Sequence, residues 1–170
     1  MSIDLFSFLK GATRVAVVGV GSEMRGDDAA GIEAVRGLRE GLKSPNVLLI
    51  EGGVAPENFT SQIRRFKPSH VIFIDATDFG AEPGEVVLAE PEAITGQSIS
   101  THTMPLSILA GYLREQTGAK VALLGIQPAR AQLGAEMSGA VRDSIKRTEK
   151  ILLRELRSLT RHDTRVSLKK

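Results

Sequence analysis

The sequence predicts an α/β fold: a three-layer αβα sandwich whose mostly parallel sheet has about five strands, one of them a short edge strand. Short β-branched apolar segments alternate along the chain with segments whose apolar residues recur at helical spacing. The connections between them are short, and right-handed crossovers then favour a parallel sheet covered by helices on both faces. With 170 residues, 42% of them hydrophobic and 25% charged, the chain has the size and composition of one domain with its own core.

Five segments are predicted as strands because they are short, apolar and closed by glycine or polar residues. The fourth lies between two prolines, which favours an edge strand that can run antiparallel to its neighbour. In chain order these strands are residues 15–20, 47–50, 71–74, 85–89 and 121–125.

Four helices are predicted from apolar residues that share one face. Prolines open the second and third helices, and a glycine ends the third. In chain order the helices cover residues 29–42, 56–67, 105–117 and about 138–159. We therefore place one α/β domain in residues 1–160 and a basic tail, expected to be flexible, in residues 161–170.

Composition excludes several classes of function. The sequence pI of about 9.1 comes from the tail, which holds four basic residues against one acidic residue. Aromatic residues make up 4% of the chain and tryptophan is absent, which speaks against a base-stacking nucleic-acid surface. The absence of cysteine excludes disulfides, thiolate zinc sites and a cysteine nucleophile.

The first ten residues lack the basic start and long apolar segment of a secretory signal, and no segment is suited to span a bilayer. The expected location is the cytoplasm, with no membrane insertion and no nucleic-acid partner.

Three polar segments interrupt the apolar pattern, each just after a predicted strand or just before a predicted helix. They contribute Asp27 and Asp28, then Asp75 and Asp78, then His102. Since ligands of parallel sheets bind beyond the carboxyl ends of the strands, we expect Asp28, Asp75 and His102 to meet there. Two carboxylates and one imidazole suit a catalytic metal site with open positions, for nickel, zinc, manganese or iron(II).

Each of these residues also has an interpretation without a metal. Asp27 or Asp28 can cap the first helix, and Asp75 or Asp78 can cap a turn. His102 taken alone is a surface or core histidine. One helix cap needs a single acceptor, however, so the second carboxylate of the Asp27-Asp28 pair is left for coordination.

Gly19-Val-Gly21 follows the first strand, as in a dinucleotide site. A complete glycine motif would place its third glycine at position 24, where this chain has Met24. A tight turn between strand and helix is therefore favoured over nucleotide binding. The chain also lacks the glycine-serine-glycine elbow of serine hydrolases.

A series of motifs runs in order over about residues 15 to 155. They are Gly19-Val-Gly21 with Gly26-Asp-Asp28, Glu51-Gly-Gly-Val-Ala-Pro-Glu57, Ile74-Asp-Ala-Thr-Asp78, Pro83-Gly-Glu85, Thr101-His-Thr-Met-Pro-Leu106 and Leu124-Gly-Ile-Gln-Pro128. This series resembles the NiFe-hydrogenase maturation endopeptidases, and most closely the enzymes that serve formate-hydrogenlyase-type hydrogenases.

The resemblance implies a cytoplasmic monomer, a peptidase that removes the C-terminal extension from the nickel-loaded precursor of a hydrogenase large subunit. It implies that Asp28, Asp75 and His102 are the catalytic residues and the ligands of nickel, which the precursor supplies and zinc or cadmium can replace in isolation. Glu51 stands where relatives often carry aspartate, and we assign it and Asp27 to substrate recognition. A water beside the metal would attack the scissile carbonyl, with Asp28 or Asp75 taking its proton. In the alternative mechanism the metal only positions the substrate, and another group attacks.

Two other functions are compatible with the sequence. A maturation chaperone or nickel-handling protein would bind the same precursor without cutting it. A nucleotide-binding Rossmann-like protein would be stabilised by a dinucleotide and not by nickel.

Overall fold

The computed structural model describes residues 4–93 and 104–166, and it has the predicted layers around a five-stranded sheet. Short 3-10 turns precede the second and third helices, at Gly26–Ala29 and Pro56–Phe59, and another covers Pro91–Ala93. The helices are α1 (Leu5–Leu9), α2 (Ala30–Gly41), α3 (Thr60–Phe66), α4 (Leu106–Thr117) and α5 (Gly139–Val166), and the strands are β1 (Val15–Val20), β2 (Val47–Gly53), β3 (His70–Ala76), β4 (Val86–Ala89) and β5 (Lys120–Ile126).

The strands lie in the order β2-β1-β3-β5-β4. The pairs β1–β2, β1–β3 and β3–β5 are parallel, whereas β4 runs antiparallel to β5 at the edge of the sheet. The fold class and the antiparallel edge strand are therefore confirmed. The carboxyl ends of β2, β1 and β3 lie side by side, and the following loops meet at that edge, which we call the carboxyl edge.

Each face of the sheet has its own apolar core. On one face, α1, α2 and α5 pack on alternate residues of β1, β3 and β5, such as Val17 and Ile74. On the other face, α3 and α4 cover the intervening residues, such as Val18 and Phe73. β1 and β3 are buried over their full length because both faces are covered.

Two helix boundaries differ from the prediction. The short helix α1 was not expected; Asp4 caps it by accepting a 2.8 Å hydrogen bond from the backbone N–H of Ser7. The last helix extends to Val166 instead of ending at Leu159, and so takes in the first part of the predicted tail. No glycine or proline occurs in residues 160–166, so the sequence there has no helix breaker.

Among the described helices, none combines the length and the apolar composition that crossing a bilayer demands.

Candidate active site

Asp28 is fully buried in the 3-10 turn that joins β1 to α2. Its Oδ2 accepts a 3.0 Å hydrogen bond from the backbone N–H of Ser22, which ties the carboxylate to the loop leaving β1. Gly21 makes this closure possible, because its φ of +128° and its lack of a side chain let the backbone of Asp28 pass directly beside it. Neither Asp27 nor Asp28 caps α2, so the capping interpretation is wrong for both.

Gly31, one turn after Asp28, brings the start of α2 against the sheet. A Cβ atom at this position would overlap the carbonyl oxygens of Ile74 and Val20. The first turn of α2 therefore lies against the last residues of β1 and β3. Asp28 is held at the carboxyl edge as a result.

The glycine pair after β1 is likewise packed against backbone. A Cβ on Gly19 would overlap the carbonyl of Gly31, and one on Gly21 would overlap that of Asp28. These glycines serve the close approach of strand and helix. The packing favours the predicted tight turn over a pyrophosphate site.

Asp75 is the penultimate residue of β3 and is fully buried. It is paired in register with Gly125 of β5. Side chains alternate along a strand, so Asp75 belongs to the same face as Val71 and Phe73, the face that α3 and α4 cover. Asp75 is therefore a second buried carboxylate, and it lies one residue before the end of β3, the strand next to β1.

His102, the third predicted ligand, lies outside the described residues. Met104 and Leu106, just after it, pack into the core on the Asp75 face. Among the side chains described, those of residues 4–93 and 104–159, no group of three histidines, aspartates or glutamates could hold a metal ion. The trio of Asp28, Asp75 and His102 stays a prediction.

Asp27 is fully buried and anchors the loop that follows β5. Its Oδ2 accepts hydrogen bonds from the backbone N–H groups of Ala129 and Arg130, at 2.8 and 3.0 Å, and from the hydroxyl of Ser138 at 2.9 Å. Its Oδ1 accepts a fourth bond, of 2.6 Å, from the N–H of Ser138. These contacts give Asp27 a structural role that the sequence did not predict. Its predicted role in substrate recognition stays a prediction.

Glu51 lies near the end of β2, where two arginines of α2 bind its carboxylate. Arg36 donates from Nε at 3.0 Å, and Arg39 forms a close ion pair. Arg36 also pairs with Glu23 and Glu33, so the cluster bridges β2, α2 and the loop after β1. Hydrogen bonds from Arg39 and Arg36 lower the pKa of Glu51 below its ordinary value, which keeps the carboxylate charged.

Gln127 is a structural residue of this edge whose contacts the sequence did not reveal. Its Oε1 accepts hydrogen bonds from the N–H groups of Phe79 and Ala81, at 2.9 and 3.2 Å. Its Nε2 donates to Asp78 at 3.1 Å, a bond that lowers the pKa of that aspartate. Gln127 therefore fixes the loop that leaves Asp75. Its only sequence signal is its place directly after β5, in the motif Leu124-Gly-Ile-Gln-Pro128.

A family model described as hydrogenase maturation protease, HycI, matches residues 32–155 of this chain. The hydrogenase 3 maturation protease of Escherichia coli K12 is 37% identical over 128 residues, which cover 75% of this chain and 81% of that protein.

Solved structures give the same result. The NiFe hydrogenase maturation protease HycI from Thermococcus kodakarensis KOD1 superposes with a TM-score of 0.83 at 38% identity, covering 90% of this chain and 98% of that one. The hydrogenase maturating endopeptidase HybD from Escherichia coli superposes with a TM-score of 0.71 at 25% identity, covering 85% and 93%.

Proposed function

This chain belongs to the hydrogenase maturation protease family and is a hydrolase, and we propose that it removes the C-terminal extension from the precursor of a NiFe-hydrogenase large subunit. The observation that carries the proposal is the burial of two carboxylates, Asp28 and Asp75, at the carboxyl edge of neighbouring strands. Burying a charged carboxylate is costly unless hydrogen bonds, a counter-charge or a metal compensates for the lost hydration. Two such groups at the ligand-binding edge of a parallel sheet support a reaction centre there.

The precursor is proposed to bring nickel to this edge as part of the substrate. Asp28 and Asp75 would bind it together with His102; zinc or cadmium would take the same place in the isolated protein. Carboxylate oxygens and imidazole nitrogen are suitable donors for these divalent ions, and three protein ligands leave room for substrate. When bound, the ion supplies a Lewis acid beside the scissile carbonyl.

The chain itself supplies orientation and a general base. Ser22 holds the Asp28 carboxylate through its N–H, and the pairing of β3 with β5 fixes the backbone of Asp75. Asp28 or Asp75 would take the proton from the attacking water.

Processing of a precursor large subunit by the purified protein tests this function. We expect the nickel-loaded precursor to lose the mass of its C-terminal extension, and the nickel-free precursor to remain intact. Asp28→Asn and Asp75→Asn should reduce trimming at least a hundredfold, because the amide cannot act as a base or an anionic ligand. His102→Ala should do the same.

Asp143→Asn, on the exposed surface of α5, is the matched control and should trim as the wild type does. Asparagine at position 28 retains an oxygen that can accept the bond from Ser22, so thermal unfolding should show a folded variant. Binding of the precursor without any trimming by the wild type would contradict the protease assignment and favour the chaperone alternative. The cytoplasmic location and the monomeric state stay predictions from the sequence.

A further inference from the structure

Three buried side-chain atoms in the loops at the carboxyl edge have no hydrogen-bond partner in the part of the chain that the structure describes. They are Nε of Arg25, Oε2 of Glu57 and Oγ1 of Thr77. Arg25 follows β1, Glu57 follows β2 and Thr77 follows β3, which are neighbouring strands. The edge that carries Asp28 and Asp75 therefore has hydrogen-bonding capacity that the described part of the chain does not use.

The opposite edge of the sheet differs. Arg14 and His70, at the amino ends of β1 and β3, also have a buried nitrogen without a hydrogen-bond partner. Their side chains have aromatic contacts instead: the guanidinium of Arg14 lies 4.1 Å from the ring centre of Phe66, and the ring of His70 packs edge-on against Phe8. These contacts account for the burial of Arg14 and His70 by internal packing.

Arg25 and Glu57 have no such explanation. Neither side chain forms a hydrogen bond, an ion pair or an aromatic contact with the side chains described for residues 4–93 and 104–159. Both are half-buried, so part of each side chain is accessible to a ligand. An uncompensated buried polar atom destabilises a fold, and such groups are retained where a ligand completes their bonding.

The position of Glu57 in the first turn before α3 does not account for its buried oxygen. An acidic side chain at a helix start is favoured by the helix dipole, but this interaction is satisfied by a solvated carboxylate. Glu57 instead has one oxygen withdrawn from solvent. Thr77, directly after β3, is only 2% exposed, and its Oγ1 also lacks a hydrogen-bond partner among the described residues. The unused bonding capacity therefore extends from the loops after β1 and β2 to the end of β3.

The spacing of the three strands that carry these loops matches a short extended peptide. Neighbouring strands lie about 4.8 Å apart, so the path from β3 across β1 to β2 is about 10 Å, the length of about three extended residues. A peptide that crosses these strand ends, with its scissile bond at Asp28 and Asp75, would meet the loop of Arg25 and then the loop of Glu57.

We infer that Arg25 and Glu57 bind the precursor's peptide segment next to the scissile bond, an inference that rests on the proposed function. Arg25 donates to a carbonyl or carboxylate oxygen of the peptide. Glu57 accepts from an N–H group or a cationic side chain. The segment lies extended across β3, β1 and β2, with Glu57 at the end farthest from Asp75.

The test compares Arg25→Gln and Glu57→Gln with the wild type in two assays on the full chain and the nickel-loaded precursor. The first assay measures the Kd of the complex by calorimetry, and the second measures KM and kcat of trimming by mass. Arg65→Gln on α3 and Glu115→Gln on α4 change the same chemical groups at exposed positions and serve as matched controls.

We expect each edge variant to raise Kd and KM about tenfold or more, with kcat within about threefold of the wild type. Thermal unfolding should not shift down, since neither side chain has an internal bond to lose. Kd values within twofold of the wild type for both variants would overturn the inference, as would equal losses in the control variants.

The two assays separate this inference from the proposed function. A wild-type protein that binds the precursor but never trims it contradicts the protease assignment, and the Kd values of the variants still decide the roles of Arg25 and Glu57. A wild-type protein that neither binds nor trims contradicts both.

Discussion

Asp27 shows how neighbouring residues of one motif take different tasks. Asp28 accepts a hydrogen bond from the N–H of Ser22 in its own loop, whereas Asp27 accepts four hydrogen bonds from three residues of the loop after β5. That loop leads directly into α5, so the Asp27 carboxylate joins the 3-10 turn at the carboxyl edge to the start of α5. A single aspartate thereby fixes the loop after β5 to the turn that contains Asp28.

Asp27→Asn should lower the free energy of unfolding by about 2 to 4 kcal/mol. An amide has a single oxygen, and its NH2 group would face backbone N–H donors that the carboxylate now binds. Urea unfolding measures the loss, with Asp143→Asn as the surface comparison. A loss below about 0.5 kcal/mol would show that these bonds do not stabilise the loop.

His70 is the titratable side chain buried at the opposite edge, 3% exposed. Two effects lower the pKa of His70 below its ordinary value of 6.5: burial, which is the larger, and repulsion from the charge of Lys120. A hydrogen bond joins its Nδ1 to the Ser69 hydroxyl at 2.9 Å, and a backbone contact with Phe8 offsets part of the shift. The folded protein therefore prefers a neutral imidazole.

The stability of the fold should therefore fall as the pH drops below about 6.5, because the unfolded chain takes up a proton that folded His70 resists. The full contribution is present above that pH and is lost on the way down to the lower folded pKa. The slope from one proton is at most about 1.4 kcal/mol per pH unit. Urea unfolding of the wild type and His70→Gln between pH 5 and 8 measures it; parallel curves for the two proteins would refute the assignment.

At the scale of the elements, the contact of the start of α2 with the sheet positions Asp28 at the carboxyl edge. Gly31 allows this helix to touch the ends of β1 and β3, and no side chain fits between them. Gly111, in the exposed part of α4, has no atom within 4 Å of an added Cβ. The two glycines occupy helices of equal length, so they form a matched pair for the same substitution.

Gly31→Ala should destabilise the fold by about 3 kcal/mol or more, because a methyl group there displaces α2 from the sheet. Gly111→Ala should stabilise it by about 0.5 to 1 kcal/mol through the better helix propensity of alanine. Thermal and urea unfolding of both variants check the pair. Equal effects at the two positions would mean that the contact of α2 with the strand ends is dispensable.

At the scale of the whole molecule, the two edges of the sheet have different chemistry. The amino edge is closed by packing, with Arg14 on Phe66 and His70 on Phe8. The carboxyl edge holds Asp28 and Asp75, and polar groups there keep bonding capacity for a ligand. This difference follows from the parallel pairing of β1, β2 and β3, because the loops that follow these three strands all leave from the same edge.

Local pattern alone determined the layers, the five strands, the place of Asp28 between β1 and α2 and the place of Asp75 near the end of β3. Buried parallel strands are continuous apolar segments, and a polar residue that ends one is visible without coordinates. The separate task of Asp27 could not be predicted, because its partners lie more than 100 positions away along the chain. The roles of Gln127 and Gly31 depend in the same way on contacts between distant elements.

The length of α5 was underestimated because a charged, apolar-poor segment resembles a solvated tail, although nothing in it interrupts a helix. The unused bonding capacity of Arg25 and Glu57 was also invisible, since a sequence lists donors and acceptors but not which of them find partners. Periodicity and residue type are local properties and were sufficient for the architecture. Burial and hydrogen bonding are properties of the packed chain, so only the tertiary structure decided which polar residues bond within the fold and which buried polar atoms find no partner in the described part of the chain.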